Sequence, residues 1–272
     1  MDKIAIAMSV YRSDSTNFVK QAIDSILEQT YQNFVLFIQV DGPVAEDLKE
    51  LLLSYIKNSN VEIYFHAENL GLAQRLNDTI ENVINDSSFS LLARMDADDI
   101  ALKERFKCQV DYLNTHNDVG VVGSDVIEID EQNNHIFYKK MKSDHLSLEK
   151  NIIKRCPFNH PSVMIRLNTL REHKLRYKSE LSNTQDYYLW VDMLSCNVIF
   201  SNINKPLLYF RINNEFHSRR GFKKALNDFN SRMYAFEKLG CYSLSNYIHV
   251  CKLVMLRISP SFIKKIAYEK LR

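Results

Sequence analysis

The sequence of 272 residues lacks several features that would place it in a specialised class of protein. It has no run of eighteen apolar residues, and its amino terminus lacks the charged segment, long apolar region and cleavage site of a signal peptide. We therefore expect neither a membrane span nor export. The five cysteines are scattered and never closely spaced as metal ligands are, which fits a reducing compartment.

A strong charge of one sign is also missing, since the formal net charge is only +2. A domain that tracks nucleic-acid phosphates usually has a far larger basic excess, so we expect no nucleic-acid partner. The charge is nevertheless uneven, because residues 252–272 contain six Lys or Arg against one Glu, interleaved with apolar side chains. This stretch is either an interfacial helix on anionic lipid or an ordinary helical pair broken at Pro260. We predict the first, and hence a cytoplasmic protein held peripherally on the inner face of the cell membrane.

What the chain does have is a regular alternation of apolar strands and amphipathic helices in its first half. The predicted strands are Ile4–Val10, Phe34–Val40, Val61–Phe65 and Phe89–Met95. Strands that are apolar on both faces and joined by helices indicate a mainly parallel, Rossmann-like α/β sheet flanked by helices, with ligands at the carboxyl ends of the strands. We predict one such domain over residues 1–215 and a helical, basic segment over residues 216–272.

An acidic cluster follows the fourth predicted strand, with Asp96, Asp98 and Asp99 within four residues. In an extended backbone Asp96 and Asp98 point the same way, so both can bind one hard divalent cation, while Asp99 faces elsewhere. Such a cation would relieve the repulsion between the carboxylates. Alternatively, Asp98 or Asp99 caps the helix that follows.

Other polar residues also follow predicted strands. Ser9-Val10-Tyr11 ends the first strand, Asp41-Gly42-Pro43 follows the second, and a loop carries Asn69-Leu70-Gly71-Leu72-Ala73. Together with the acidic cluster and Gln185-Asp186-Tyr187-Tyr188-Leu189-Trp190, these segments resemble glycosyltransferase family 2 in both content and order. The resemblance covers roughly residues 3–215, and it is strongest to bacterial members that build surface polysaccharides.

The resemblance implies the GT-A fold and an inverting transfer of a hexose from a UDP-sugar to a lipid-linked glycan acceptor in bacterial polysaccharide biosynthesis. It makes Asp98 the firmest ligand of a Mg²⁺ or Mn²⁺ ion, and Asp96 a ligand or a ribose contact. It also makes Asp186 the general base that takes the proton of the acceptor hydroxyl. Without the resemblance, Asp186 is simply an acidic residue that favours the start of a helix.

The family also implies a nucleotide pocket. Asp41 would bind the uracil, but Val40 stands where many relatives have a second acid, so Asp41 acts alone or the base contacts backbone near Val10 and Tyr11. Gly71 would allow close backbone approach, and Arg75 would reach a phosphate or the acidic cluster. The alternatives are a simple Asp-Gly-Pro turn and an Asn-Gly turn before a helix.

Further residues are implied around the donor sugar and the acceptor: Arg94, His160, Gln185, Trp190 and Arg211. Gln185 stands where the family has a Glu, so the acid is not retained, but the Gln185 side chain can still form a hydrogen bond to the acceptor. Arg94 alternatively balances the acidic cluster, and His160 alternatively shapes a loop before Pro161. Arg211, with His217 and Ser218, resembles the late basic segment that closes over the diphosphate.

Other classes and donors compete with this interpretation. A nucleotidyltransferase would open with a glycine-rich loop after its first strand, and Ser9–Ser15 contains no glycine. Because Val40 and Gln185 depart from the family's pattern, the protein is alternatively a catalytically weak homologue that binds a nucleotide sugar. A second alternative is a transferase whose donor carries GDP or dTDP.

Overall fold

The protein is described here from a computed structural model that covers residues 2–181, 183–212 and 222–259. Its strands are β1 (Ile4–Val10), β2 (Phe34–Val40), β3 (Val61–Phe65), β4 (Leu91–Met95), β5 (Ile100–Ala101), β6 (Val119–Ile129), β7 (His135–Lys139), β8 (Met164–Arg166) and β9 (Ile199–Arg211). Its helices are α1 (Thr16–Leu27), α2 (Glu46–Ser54), α3 (Leu72–Val83), α4 (Arg105–Thr115), α5 (His145–Lys150), α6 (Leu167–Glu172), α7 (Gln185–Ser195), α8 (Phe222–Leu239) and α9 (Leu244–Ile258).

The strands form one mixed sheet in the order β3-β2-β1-β4-β8-β6-β9-β5, with β7 paired to β6. β1 lies between β2 and β4 and is parallel to both, while β8 runs antiparallel to β4 and β6. The predicted α/β class and parallel first half are therefore confirmed. The antiparallel strands β5 and β8 carry no strong periodic signal because they are only two and three residues long.

Both faces of the sheet are covered, as the apolar strands require. Along β1, Ile4, Ile6 and Met8 pack in a cluster with side chains of α1, α2 and α4. Ala5 and Ala7 point to the other face and pack in a cluster with side chains of α3, α7 and α8. The period of two along the strand thus divides the core into two layers. Because the β1, β2 and β4 strands are parallel, their carboxyl ends meet at one edge.

The predicted carboxyl-terminal helices are present as α8 and α9. Phe236 of α8 and Val250 of α9 are buried in the same cluster as α7, and Arg257 of α9 pairs with Asp228 of α8 at 2.6 Å. Residues 213–221 and 260–272 lie outside the described residues, as do the predicted lid residues His217 and Ser218. In the part of the chain that the structure describes, no helix is both long and apolar enough to cross a bilayer.

Candidate active site

A cleft of about 610 Å³ opens at the carboxyl ends of β1, β2 and β4. It is lined by Ser9, Tyr11, Ser13, Asp14, Ser15, Phe18, Asp41, Asn69, Gly71, Leu72, Asp96, Ala97, Asp98, Glu131, Asn183, Gln185 and Arg211. All five motif segments of the sequence contribute to this list, although they are spread over almost two hundred residues. The structure therefore brings the five motif segments together at this edge, as the sequence predicts.

The acidic cluster lies in the turn that follows β4. Asp96, Asp98 and Asp99 bring carboxylate oxygens within 4.8 Å of one another. The expectation that Asp99 faces elsewhere was wrong, because the chain turns at residues 97–98 instead of continuing as a strand. The helix-cap alternative was also wrong, since α4 begins only at Arg105 and Glu104 occupies the cap position. Three carboxylates thus converge on one point.

Burial makes this convergence electrostatically costly. Asp99 is 1% exposed, and its Oδ1 accepts from the backbone N–H of Arg211 at 2.8 Å. Burial, followed by the charges of Asp96 and Asp98, raises the pKa of Asp99 well above its usual range. Burial and the charge of Asp96 raise the pKa of Asp98 to about 6. The cluster therefore favours a bound proton or cation.

Three buried arginines surround the acidic cluster. Arg94 pairs with Asp96, while its own carbonyl accepts from Arg105 Nη2 at 2.7 Å. Burial lowers the pKa of Arg105 to about 9. Sequence reasoning missed Arg105, because it contacts this site only through the tertiary packing of α4. Among the described residues, Arg94 Nε has no hydrogen-bond acceptor.

Arg211 joins the cluster from the end of β9 and is 4% exposed. Its Nε donates to the carbonyl of Asp98 at 2.8 Å, Nη1 donates to the carbonyl of Asp130 at 2.9 Å, and Nη2 donates to Gln21 at 3.0 Å. Each guanidinium nitrogen thus bonds to an oxygen of the protein itself. Arg211 ties together the loops around the acidic cluster, and its predicted contact with the substrate stays a prediction.

Asp41 forms the opposite wall of the cleft and is 3% exposed. Its Oδ1 accepts from the N–H of Leu70 at 2.8 Å and from Arg75 Nε at 2.7 Å, and its Oδ2 accepts from the N–H of Gly71 at 2.9 Å. Gly71 has φ +88° and ψ 163°, a region essentially restricted to glycine. Asp41 therefore fixes the loop before α3 in a conformation that only glycine adopts easily.

Arg75 does not reach the acidic cluster, contrary to one of the two roles predicted for it. Besides Asp41, its guanidinium donates to Asp78 at 2.6 Å and to the carbonyl of Glu68 at 2.8 Å. The reason is local: Arg75 lies one turn into α3, directly beneath the loop that it holds. Its side chain is 4% exposed.

The first motif places Val10 and Tyr11 at the same edge. Val10 is fully buried, and its carbonyl accepts from the N–H of Asp41 at 2.7 Å. Tyr11 is 38% exposed in the cleft, and its N–H donates to Asp14 at 2.9 Å. Burial, with the charges of Asp98 and Asp96 adding to it, raises the pKa of Asp14 to about 7. Asp14 follows the end of β1 by four residues and is a further carboxylate of the cleft.

The start of α7 closes the cleft on its third side. Gln185 lines the cleft, and its Oε1 is buried without a hydrogen-bond donor among the described residues. Thr184, which precedes it, has a left-handed φ of +65°. Asp186 is half-buried in the first turn of α7, next to the cleft-lining Gln185. The predicted base and the predicted metal ligands therefore belong to elements on different sides of one cleft.

His160 lies behind this wall in a short 3-10 helix. Its Nε2 is 2.9 Å from the hydroxyl of Tyr177, whose backbone N–H and carbonyl both bond to the side-chain amide of Asn77. Burial, followed by the positive charge of Arg94, holds the pKa of His160 well below its usual range. The imidazole is therefore neutral at physiological pH. Tyr177 had no signal in the sequence, since its contact with His160 depends on the fold.

Trp190 does not lie in the cleft, so its predicted contact with the sugar or the acceptor was wrong. The indole is 0% exposed and packs with ring centroids 5.0 Å from Phe158 and 6.3 Å from Phe200. The helical period explains the difference, because Trp190 follows the cleft-lining Gln185 by five residues, about 140° around the helix, and therefore faces the sheet. Trp190 is a core residue that supports the ring of His160 at 6.0 Å.

Comparison with known proteins identifies the family of this chain. The model of glycosyl transferase family 2 matches residues 5–177. The O-antigen biosynthesis glycosyltransferase WbnJ of Escherichia coli is 31% identical over 94% of this chain and 98% of its own. The UDP-Gal:alpha-D-GlcNAc-diphosphoundecaprenol beta-1,3-galactosyltransferase of Escherichia coli is 28% identical over 98% of this chain and 96% of its own.

The architecture is also found in solved structures. TarS 1–349 of S. aureus in complex with UDP-GlcNAc superposes with a TM-score of 0.65, over 96% of this chain and 82% of that one. At 13% sequence identity this similarity shows the fold alone, and it confirms the predicted GT-A fold. The family match covers well over half of the chain and contains the first four motifs of the cleft. The protein belongs to glycosyltransferase family 2.

Proposed function

We propose that this family member is an inverting, metal-dependent transferase that moves a hexose from a UDP-sugar to a lipid-linked glycan acceptor in bacterial polysaccharide biosynthesis. The observation that carries the proposal is the convergence of Asp96, Asp98 and Asp99 within 4.8 Å in a cleft that the start of α7 also lines. The names of the relatives support it, since one is an O-antigen transferase and another uses UDP-Gal and a diphosphoundecaprenol acceptor.

The acidic cluster has the chemistry of a Mg²⁺ or Mn²⁺ site. It offers only carboxylate oxygens, which such ions prefer, and burial raises the pKa of Asp98 and Asp99 although Arg94 lies nearby, so a cation would stabilise their charged forms. Asp98 and Asp99 would hold the ion, with Asp96 shared between the ion and Arg94. A bound ion supplies positive charge that stabilises the leaving diphosphate.

The wall around Asp41 suits a uridine. The ring of Tyr11 is partly exposed in the cleft and can contact the base, while Gly71 lets the nucleotide approach the backbone closely. The Asp41 carboxylate accepts three protein N–H groups, whereas two carboxylate oxygens offer about four acceptor positions. Asp41 therefore keeps the capacity to accept the imide N–H of uracil as well.

The chemical step would rest on Asp186. An inverting transfer needs a carboxylate that takes the proton of the acceptor hydroxyl while that oxygen attacks the anomeric carbon opposite the diphosphate. Asp186 is the carboxylate at the start of α7, beside Gln185 of the cleft wall, whose buried Oε1 can accept from a substrate hydroxyl. An α-linked donor would then give a β-glycoside.

The deciding experiment is to incubate the protein with a panel of UDP-, GDP- and dTDP-sugars and Mg²⁺ or Mn²⁺, and to measure release of the free nucleoside diphosphate. We expect release from a UDP-sugar, faster when an acceptor is added. Binding of a UDP-sugar without any release would instead establish the competing function, a nucleotide-sugar-binding homologue without activity.

Asp41→Ala is expected to remove the preference for UDP over GDP and dTDP. A hydrogen bond to a charged group is worth about 1.5–3 kcal/mol, so the ratio of affinities should fall roughly 10- to 100-fold. The measurement is calorimetric titration of the variant with each diphosphate.

Because Asp41 also holds the loop before α3, loss of that role alone would weaken all three nucleotides equally and leave the ratio unchanged. Asp78→Asn is the matched control, since it removes a partner of Arg75 at 2.6 Å without touching the cleft. Tighter binding of GDP than UDP by the wild-type protein would overturn the assignment to uridine.

Removal of residues 260–272 is expected to weaken binding to anionic vesicles while donor hydrolysis continues at the wild-type rate. The deleted segment carries four of the six basic residues in 252–272, each worth about 1 kcal/mol at an anionic surface. On the preceding helix α9, Leu244 is 77% exposed and Met255 is 57% exposed, so apolar contact is available as well. Sedimentation with anionic and neutral vesicles at low salt measures the effect, and equal binding by both proteins would contradict it.

A further inference from the structure

A second cluster of polar and aromatic side chains joins α7 to α8 outside the cleft. Its members are Lys178, Tyr188, Asp192 and Tyr234, which we call the tyrosine shelf. The ring centroids of Tyr188 and Tyr234 are 4.6 Å apart, and the Lys178 ammonium is 4.0 Å from the Tyr234 centroid and 5.2 Å from the Tyr188 centroid. Lys178 donates to the Tyr234 hydroxyl at 2.9 Å, and that hydroxyl donates to Asp192.

The tyrosine shelf continues the cleft along one face of α7. Gln185 lines the cleft, and Tyr188 and Asp192 follow it after three and seven residues, on the same side of the helix. The helical rise places them roughly 4.5 Å and 10 Å along the axis from Gln185. This span is comparable with one or two linked sugar rings that start beside Gln185.

The side chains of the shelf are open to solvent in part. Lys178 is 28% exposed and Asp192 is 19% exposed, while both tyrosine rings are half-buried. The neighbouring Tyr187 differs, since it is 3% exposed and lies under the guanidinium of Arg232 at 4.0 Å. α7 and α8 thus also contact each other on the buried side, whereas the shelf is the partly exposed side of their contact.

The charges of the shelf are balanced, because the exposed residues Lys238 and Glu237 accompany Lys178 and Asp192. A phosphate group would find no net positive field there. A neutral pyranose fits better, because it has an apolar C–H face for an aromatic ring and hydroxyls that can both donate and accept. The family-model match ends at residue 177, so every member of the shelf lies in the part of the chain beyond it.

We propose that the tyrosine shelf binds a neutral pyranose residue of the acceptor glycan, with the apolar face of the sugar on Tyr188 and its hydroxyls at Lys178 and Asp192. The proposal rests on the proposed function and deepens it, because it assigns an acceptor subsite. The donor would be bound by residues of the first half of the chain, so a change in the shelf should affect the acceptor alone.

The test uses Tyr188→Ala in the full chain, with an alkyl α-GlcNAc-diphosphate and a set of octyl pyranosides as acceptor probes. The probe that most accelerates UDP release above donor hydrolysis is then titrated. We expect the acceptor KM of Tyr188→Ala to rise about tenfold or more, because a stacking surface is lost. Donor KM and the rate of donor hydrolysis should stay within twofold of wild type.

Two further variants separate binding from folding. Tyr188→Phe keeps the ring and should retain an acceptor KM near that of wild type. Arg232→Met removes the equivalent cation–ring contact on the buried side of α7, so we expect a lower melting temperature but an unchanged acceptor KM. An unchanged acceptor KM in Tyr188→Ala, or an equal rise in Arg232→Met, would overturn the acceptor subsite.

Different experimental outcomes distinguish failure of the acceptor subsite from failure of the proposed function. If no nucleotide sugar of the panel binds, the transferase function itself is wrong. If a UDP-sugar binds and is hydrolysed but no pyranose probe accelerates UDP release, the proposed function stands and the proposed pyranose subsite is wrong.

Discussion

Asp186→Asn is expected to slow transfer to the acceptor by ~10²- to 10⁴-fold, the usual cost of removing a positioned general base. The amide keeps the shape of the carboxylate but cannot take a proton. UDP affinity should be preserved, because the residues proposed to hold the nucleotide and the metal lie on β1, β2, α3 and the turn after β4. The measurement is the rate of acceptor glycosylation at saturating donor, together with UDP affinity and melting temperature.

A purely structural Asp186 would behave differently. It lies in the first turn of α7, where an acidic residue stabilises the helix by about 0.3–1 kcal/mol. Its loss would then lower the melting temperature slightly and leave the transfer rate almost unchanged. Glu180→Gln is the comparison variant, since Glu180 is an exposed carboxylate in the same part of the chain and should keep the wild-type rate if Asp186 is the base. A rate for Asp186→Asn within a few-fold of wild type would remove Asp186 as the base and direct attention to Asp192 or Glu180.

Asp98→Asn is expected to reduce turnover on the order of 10³-fold, and chelation should abolish turnover of the wild-type protein. The physical reason is that a divalent ion supplies several kcal/mol of stabilisation to the charge that develops on the diphosphate. Turnover is measured as UDP release over a titration of Mg²⁺ or Mn²⁺. Glu131→Gln is the matched control, because Glu131 lines the same cleft but lies outside the acidic cluster.

The same site predicts a pH dependence. The pKa of Asp98 is raised to about 6 in the metal-free protein, so protons compete with the ion below this value and the apparent metal affinity should fall as the pH is lowered through 6. The effect on stability has the opposite sense. Because the folded pKa exceeds the usual value of 3.8, protonated Asp98 stabilises the fold below about pH 4, and this contribution is lost as the pH rises through 6.

Asp98→Asn mimics the protonated carboxyl, so in chelator it should melt at a higher temperature than wild type above pH 6 and at a similar temperature near pH 4. The corresponding difference in the free energy of unfolding is at most about 3 kcal/mol, the equivalent of roughly two pKa units. Added Mn²⁺ should stabilise only the wild-type protein. Wild-type turnover that persists in chelator, or an Asp98→Asn variant as active as wild type, would exclude the metal assignment.

The sequence by itself determined the sheet, the edge at which the polar motifs meet and the family. Four apolar runs of strand length, joined by amphipathic helices, leave a parallel sheet as the arrangement that buries both faces, and β1, β2 and β3 have the predicted bounds. The order of the polar residues after these strands then brings Asp41, Gly71 and Asp96 to one edge. These inferences succeed because they depend on the period of apolar residues and on sequence neighbours.

Only the tertiary structure decided which side chains complete the site and which do not. Asp99 joins the acidic cluster because a turn reorients it and because Arg211, 112 residues away, donates to its carboxylate. Arg75 is drawn to Asp41 instead of the cluster, and Trp190 is buried against Phe158 and Phe200. Contacts between residues so far apart depend on the packing of several elements at once, and no local pattern of residues encodes them.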